Sequence, residues 1–276
     1  MRVLGLEWVG IRTDRFRGTV AFFAKTLGLP VRVRRPDFVR LDLPDSSVVE
    51  VFGPGDTDHQ YFTTGPAVGF LVSDVGRARA ELAERGVELL GPMGGNPGKV
   101  RWQHFRASDG CVYEVVENPT RPPPREPVGP LRITHLAWVG TRTARYDETR
   151  SFFGRFLQLE LAEELPELVE YRLPSGASVE VFRPGTSLDH AHFSTGPVPG
   201  FGVEDIDVAV AALRARRIPL LQAKLQDHGG WAHFRAPDGC IYEVKGPRRS
   251  PGRRQRPRLT RTTRRTASTP SSRERV

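Results

Sequence analysis

The stretch Ile133–Thr141 alternates apolar and polar side chains with a β-branched and aromatic bias, which predicts a strand. Asp147–Leu157 then sets Phe152, Phe153, Phe156 and Leu157 at helical spacing. Three short strands are expected near Leu161–Glu164, Val169–Leu173 and Ser178–Phe182, divided by turn signals such as Pro174-Ser175-Gly176. The pattern then starts again with a strand at Gly200–Val203. An amphipathic helix over Ile206–Arg216 offers Val208, Val210, Ala211 and Leu213 to a core. Strands at Leu220–Gln222, Trp231–Arg235 and Cys240–Val244 close the series, the last two joined by Pro237-Asp238-Gly239. The order is βαβββ, twice.

The same pattern occurs upstream, because the chain repeats itself at an offset of about 130 residues. Trp8-Val9-Gly10 returns as Trp138-Val139-Gly140, and Phe22-Phe23 as Phe152-Phe153. Val49-Glu50-Val51-Phe52 returns as Val179-Glu180-Val181-Phe182, and Thr64-Gly65-Pro66 as Thr195-Gly196-Pro197. The stretch from Trp102 to Val115 becomes Trp231 to Val244. One unit was duplicated, giving an α+β chain of four βαβββ modules. Residues 1–118 form one domain and 131–247 the other, each of ordinary domain size. A stiff proline-rich linker, 119–130, joins them.

Charge changes the picture only once it is located. The net charge is +9, yet residues 247–276 alone carry eleven Arg and one Glu. The remainder holds 30 basic and 31 acidic residues, so the globular part is close to neutral. The segment 248–276, rich in Arg, Ser, Thr and Pro, cannot bury enough apolar surface to offset its ordering entropy and is expected to be a disordered tail. Such a tail is a solvated extension or, through phosphate neutralisation, a contact for nucleic acid or another polyanion. Cys111 and Cys240 are repeat-equivalent, lie in separate domains and read as small core residues, not as a disulfide or zinc pair. No apolar run approaches the ~18 residues of a membrane span, and no signal-peptide core opens the chain. A cytoplasmic protein without a membrane partner is expected, of oligomeric state that the sequence does not fix.

The module order resembles the vicinal oxygen chelate superfamily, which includes glyoxalase I, extradiol dioxygenases and bleomycin-resistance proteins. The residues that carry the resemblance are Ile133-Thr134-His135-Leu136-Ala137, the Phe-Phe of each first helix, and the phrase His233-Phe234-Arg235-Ala236-Pro237-Asp238-Gly239-Cys240-Ile241-Tyr242-Glu243-Val244. The resemblance covers residues 1–247 and implies two glyoxalase-like cupped-sheet domains, with metal ligands on the first and last strands of the modules. In the second copy those positions are His135, Glu180, Val198 and Glu243. One imidazole and two carboxylates suit a divalent Zn, Fe, Mn or Ni ion, with Glu180 as the catalytic group that moves a proton. In the first copy His135 becomes Gly5 and Val198 becomes Ala67, so Glu50 and Glu114, with Glu7 as a third acid, form a degenerate and metal-free site. Strand alternation puts His135 and Ala137 on one face, with Leu136 and Trp138 on the other.

Trp231, His233 and His192 are the candidate substrate-binding residues of the second copy, and His59 and His190 match as loop-capping histidines. The Gly91–Gly98 stretch and its counterpart Ala223–Gly230 read as mobile loops at a cup mouth. No G-x-S-x-G, G-x-G-x-x-G or H-E-x-x-H motif occurs. Two functions fit these residues. One is a metal-dependent lyase or isomerase acting on a small oxygenated metabolite. The other is a metal-free protein that binds or sequesters a small molecule. An extradiol-type dioxygenase fits less well, because it needs a second imidazole where Val198 stands.

Overall fold

The computed structural model describes residues 1–120, 126–185 and 196–248. The arginine-rich segment from 249 onward, 121–125 of the linker, and His190 and His192 lie outside the described residues. The four modules are present as read. Module one holds β1 (Val3–Arg12), helix α1 (Phe16–Ala21), β2 (Val31–Arg35), β3 (Phe38–Asp42) and β4 (Val48–Phe52). Module two holds β5 (Ala67–Val72), α2 (Val75–Glu84), β6 (Glu88–Gly95), β7 (Arg101–Arg106) and β8 (Val112–Glu117). Module three holds β9 (Ile133–Arg142), α3 (Tyr146–Ser151), β10 (Glu160–Glu164), β11 (Leu168–Arg172) and β12 (Ser178–Phe182). Module four holds β13 (Val198–Val203), α4 (Ile206–Ala215), β14 (Leu220–Gln226), β15 (Gly229–Arg235) and β16 (Ile241–Pro247).

Two helices end in a π turn, Phe22–Thr26 after α1 and Phe152–Phe156 after α3, each closed by a bond from the leucine N–H five residues on. That wider turn lets both members of each Phe-Phe pair enter the core. A fully buried Phe such as Phe23 or Phe153 contributes about 1.5–3 kcal/mol. In α4 the buried residues are Ile206, Ala209, Val210 and Leu213, while Val208 is 54% exposed. The apolar stripe therefore starts at Ile206 and recurs at +3, +4 and +7, a different phase from the expected one. Asp205 caps this helix by accepting from the Asp207 and Val208 N–H groups. The expected mouth loops are largely strand, since β6 runs to Gly95, β14 to Gln226, and β15 begins at Gly229.

The pairing of modules crosses the repeats. One eight-stranded sheet has the order β14-β15-β16-β13-β1-β4-β3-β2 and joins modules one and four. The other, β10-β11-β12-β9-β5-β8-β7-β6, joins modules three and two. The seams are the antiparallel pairs β1/β13 and β9/β5. At the crossing the Gly-Pro steps of the two repeats meet, and Gly196 N–H donates to Gly65 O at 2.8 Å. A Cβ on either glycine would overlap the facing Pro66 or Pro197 carbonyl, so the retained glycines let the two backbones touch.

The core explains how a repeat remains a unit although its modules serve different sheets. The inner faces of both sheets close on one apolar cluster, to which every helix contributes. Phe23 of module one packs on Phe70 and Tyr113 of module two, and Phe153 of module three on Phe201 and Tyr242 of module four. Each repeat is thus held together by helix-to-sheet packing. Each outward sheet face is a cup drawn from both repeats.

Candidate functional site

The first cup lies on the module one and four sheet and has a cavity of about 740 Å³. The second lies on the module two and three sheet, with a cavity of about 720 Å³. Both are within the usual range for small-molecule sites. This partition divides the residues expected to form one metal site. His135 and Glu180 line the second cup, whereas Glu243 lines the first. The acids expected to form a degenerate site also part: Glu50 lines the first cup and Glu114 the second. Glu7 sits beside Gly202 near Lys245, next to the first cup. The reason is the cross-repeat pairing, because a cup takes the last strand of a module from each copy. Trp231 lines the first cup, and His233 lies buried behind it, their rings 4.6 Å apart.

A tryptophan occupies each cup floor. The expected alternation fails at residues 7 and 137, where the pairing register of β1 and β9 shifts. A bulge there puts Trp8 and Trp138 on the face opposite Leu6 and Leu136, which stay in the inner core, and both indoles turn outward into the cups. The Trp8 Nε1–H donates to Glu50 Oε2 at 2.9 Å. Trp138 makes the equivalent bond to Glu180. A Cβ on Gly10 would overlap the Trp8 ring, so the recurring Trp-Val-Gly motif encodes this floor. That motif was the signal in the sequence, and strict alternation hid it.

A histidine–glutamate pair completes each floor. His233 faces Glu243 across β15/β16, and His104 faces Glu114 across β7/β8, each with Nε2 at 3.1 Å from Oε2. Desolvation pushes Glu243 and Glu180 up to about 8 and holds Glu114 well above the carboxylate range. Desolvation also pulls His233 down to about 3 and His104 to about 4. In the first cup, Tyr61 fixes the tautomer. Its hydroxyl donates to Gln222 Oε1 at 2.7 Å and lies 2.8 Å from His233 Nδ1, so it accepts the Nδ1–H. Nε2 then presents a lone pair to Glu243, off-line for a hydrogen bond at its present angle. A buried lone pair beside a carboxyl requires the proton on Glu243, which agrees with the raised carboxyl.

Two further residues shape the first cup. His59 is held by Asp56, which accepts from its backbone N–H and contacts Nδ1 at 2.8 Å, and its ring stacks on Phe52 at 3.8 Å. It is thus tied to its own loop through Asp56, and it also lines the cavity. Gly5, at the position matching His135, is covered by Ser175 of module three, whose side chain would lie 2.7 Å from a Cβ. An imidazole has no room there. In the second cup His135 Nδ1 lies 3.0 Å from Thr134 Oγ1.

The fit of a metal follows from these contacts. Of the four ligand positions in the first cup, Gly5 and Val198 carry no donor and Glu50 is bonded to Trp8. In the second, Ala67 carries none and Glu180 is bonded to Trp138. Among the described residues, no three His, Cys, Asp or Glu side chains converge as a metal-binding group. As arranged, the donors do not converge on an ion in either cup, although His135, Glu114 and Glu180 share the second cavity.

Cross-repeat pairing of βαβββ modules into two cups defines a glyoxalase-like fold. Residues 5–115 match the profile of the Glyoxalase/Bleomycin resistance protein/Dioxygenase superfamily, in line with the resemblance seen in the sequence. Among solved structures, a dioxygenase-like protein of Bacillus subtilis subsp. subtilis superposes with a TM-score of 0.65 at 13% identity, covering 89% of this chain and 86% of its own. Glyoxalase I from Zea mays superposes with a TM-score of 0.60 at 14% identity, covering 87% and 92%. At such identities the likeness is one of fold. No curated protein matches the chain. Among the described residues no helix is long and apolar enough to cross a membrane.

Proposed function

We propose that this protein binds a small organic molecule in its cups without a resident metal. The observation that carries the reading is the tryptophan floor, where an indole N–H engages the carboxylate that the superfamily's ligand pattern would give to a metal. The neutral histidine–glutamate pairs supply hydrogen-bonding groups without net charge, and Trp102, Trp138 and Trp231 supply flat apolar walls. Such a site favours a planar ligand with a few oxygen atoms over a strongly hydrated one. A thermal-shift screen of small aromatic and oxygenated compounds, run with and without chelator, tests this. Stabilisation by a ligand that survives chelation is expected, and stabilisation that vanishes with chelator would sink the reading.

A second reading is a divalent-metal lyase or isomerase centred on the second cup. It is supported by His135, Glu114 and Glu180 lining one cavity, with Glu180 as the proton-moving group. An extradiol-type reaction would need His104 as the second imidazole there. Calorimetric titration with Zn, Fe(II), Mn and Ni separates the readings. Metal uptake that is lost in His135→Ala supports the second, and no uptake by the native chain removes it. The arginine-rich tail, as a polyanion contact, is a separate expectation: deleting residues 248–276 should abolish any measured affinity for nucleic acid.

A further inference from the structure

The two cups share a floor but not a wall. At four repeat-equivalent positions around the floor carboxylates, the first cup has Val33, Arg35, Arg40 and Lys245, where the second has Glu163, Leu165, Glu170 and Val116. Arg35 and Lys245 line the first cavity, and all four counterparts line the second. Arg40 stands directly across from Glu50, and Glu170 directly across from Glu180. The Lys245 ammonium acts on Glu7, Glu50 and Glu243, and so sits central to the first cup. Lys224 adds a further cation to the wall. Three residues run the other way, Asp56 and Asp58 at the first cup and Arg172 at the second, and they reduce the contrast without reversing it.

We propose that the first cup is a site for a planar aromatic carboxylate, held by Lys245 and Arg35 over a wall of Trp8, Phe38 and Trp231, and that the second cup discriminates against that charge. The proposal rests on the binding reading above and adds the ligand class. An anion entering the first cup does not meet bare carboxylates, because Glu50 is bonded to the Trp8 indole and Glu243 is paired with His233. It meets Arg35, Lys224 and Lys245, and with Asp56 engaged by His59 the remaining nearby counter-charges are Asp58 and, beside Lys245, Glu7. Arg35 is steadied at the wall by the Phe38 ring, 5.8 Å from its guanidinium carbon. Partial desolvation in a concave site strengthens such a charge-assisted contact over the same pair in water. In the second cup Glu163 and Glu170 would repel the same anion.

Tryptophan placement makes the test direct, because the chain has four, with Trp8 and Trp231 in the first cup and Trp102 and Trp138 in the second. The full chain is titrated with 2-naphthoate, 2-naphthalenemethanol and 2-naphthylmethylammonium, read by calorimetry and by tryptophan fluorescence. Trp231→Phe and Trp102→Phe assign each signal to a cup. Naphthoate is expected to bind most tightly and to lose its signal in Trp231→Phe. Lys245→Glu should weaken it about tenfold to a hundredfold, with a smaller loss in Lys245→Gln, while the neutral alcohol changes little. Equal affinity for the three probes, naphthoate affinity unchanged in Lys245→Glu, or a naphthoate signal lost only in Trp102→Phe would overturn the proposal and leave the binding reading standing. If none of the probes binds, both fall.

Discussion

The two cups answer the same structural problem with the same parts and then diverge at the rim. Each has an indole on one glutamate, a histidine beside another and an apolar cluster beneath. They differ where β2 carries Arg32, Arg34 and Arg35 and β10 carries Glu160, Glu163 and Glu164. The floor positions are tied to the fold by bulge, glycine and cross-strand register, so a change there disturbs the sheet. The rim strands are sheet edges with exposed side chains, so their charges could change freely. Function is therefore expected to differ between the cups where the fold permits it.

The largest effect should come from breaking the shared floor. Trp138→Ala removes a large, nearly buried ring and leaves Glu180 without its donor, and should cost about 3–5 kcal/mol by chemical denaturation. Trp8→Ala should cost about the same in the first cup. Two unequal losses, with one tryptophan dispensable, would show that the floors are not equivalent. A milder Trp8→Phe keeps the ring bulk and removes the N–H bond to Glu50, at a cost of about 1–3 kcal/mol.

The next test addresses the position at which one cup carries an imidazole and the other a glycine. Gly5→His puts an imidazole where Ser175 stands and should destabilise by about 1–3 kcal/mol through overpacking. Ser175→Gly in the same chain should return part of that loss, a coupling expected only of side chains in contact. His135→Gly, by contrast, removes a half-buried side chain from the second cup and should cost less. If Gly5→His is tolerated without loss, the absence of an imidazole in the first cup has no steric cause.

Much of the fold was legible because it is local. The strand at Ser178–Phe182, the Phe-Phe helices and the Asp-Gly turn before Cys240 follow from periodicity and turn chemistry. The candidate acids Glu50, Glu114, Glu180 and Glu243 do face the cups, because each sits between two core-facing residues of a strand. What was illegible is non-local. Nothing in the order of residues states that β1 pairs with β13 and not with β5, and that pairing alone moves Glu243 away from His135. A one-residue bulge likewise reverses the facing of Trp8 and Trp138 while leaving their pattern unchanged. Tyr61, Gln222 and Lys245 carried no motif, and only the folded sheet assembles them around His233 and Glu243.

The histidine–glutamate pair predicts a particular dependence of stability on pH. Folded, the pair holds one proton, on Glu243, between about 3 and about 8. Unfolded, it holds two protons below about 4.5, one up to about 6.5 and none above. The proton count is then equal in both states from about 4.5 to about 6.5, and stability is flat there. Above 6.5 the folded state binds more protons, so stability falls as pH rises toward 8, by on the order of 1–2 kcal/mol. Below 4.5 the unfolded state binds more, so stability falls again as pH drops toward 3. Glu243→Gln should abolish the alkaline loss and extend the acid loss up to 6.5, because His233 alone remains depressed. Urea unfolding at a series of pH values reads both limbs, and an alkaline limb that persists in Glu243→Gln would assign it to another group.

The smallest effect concerns the segment over the first cup. Asp56 accepts from the His59 backbone and contacts its ring, so Asp56→Ala should cost about 0.5–1.5 kcal/mol. The sign of the accompanying titration is fixed by the causes at work on His59. Burial lowers its pKa, and the Asp56 hydrogen bond and charge oppose that lowering. Removing Asp56 leaves burial less opposed, so the His59 ring should titrate lower still in an NMR pH series. A rise would mean that the variant had opened the segment to water, since release from burial is the change that raises an imidazole here. The direction of that single resonance therefore distinguishes a first cup whose aromatic wall is held by packing on Phe52 from one that depends on its cap.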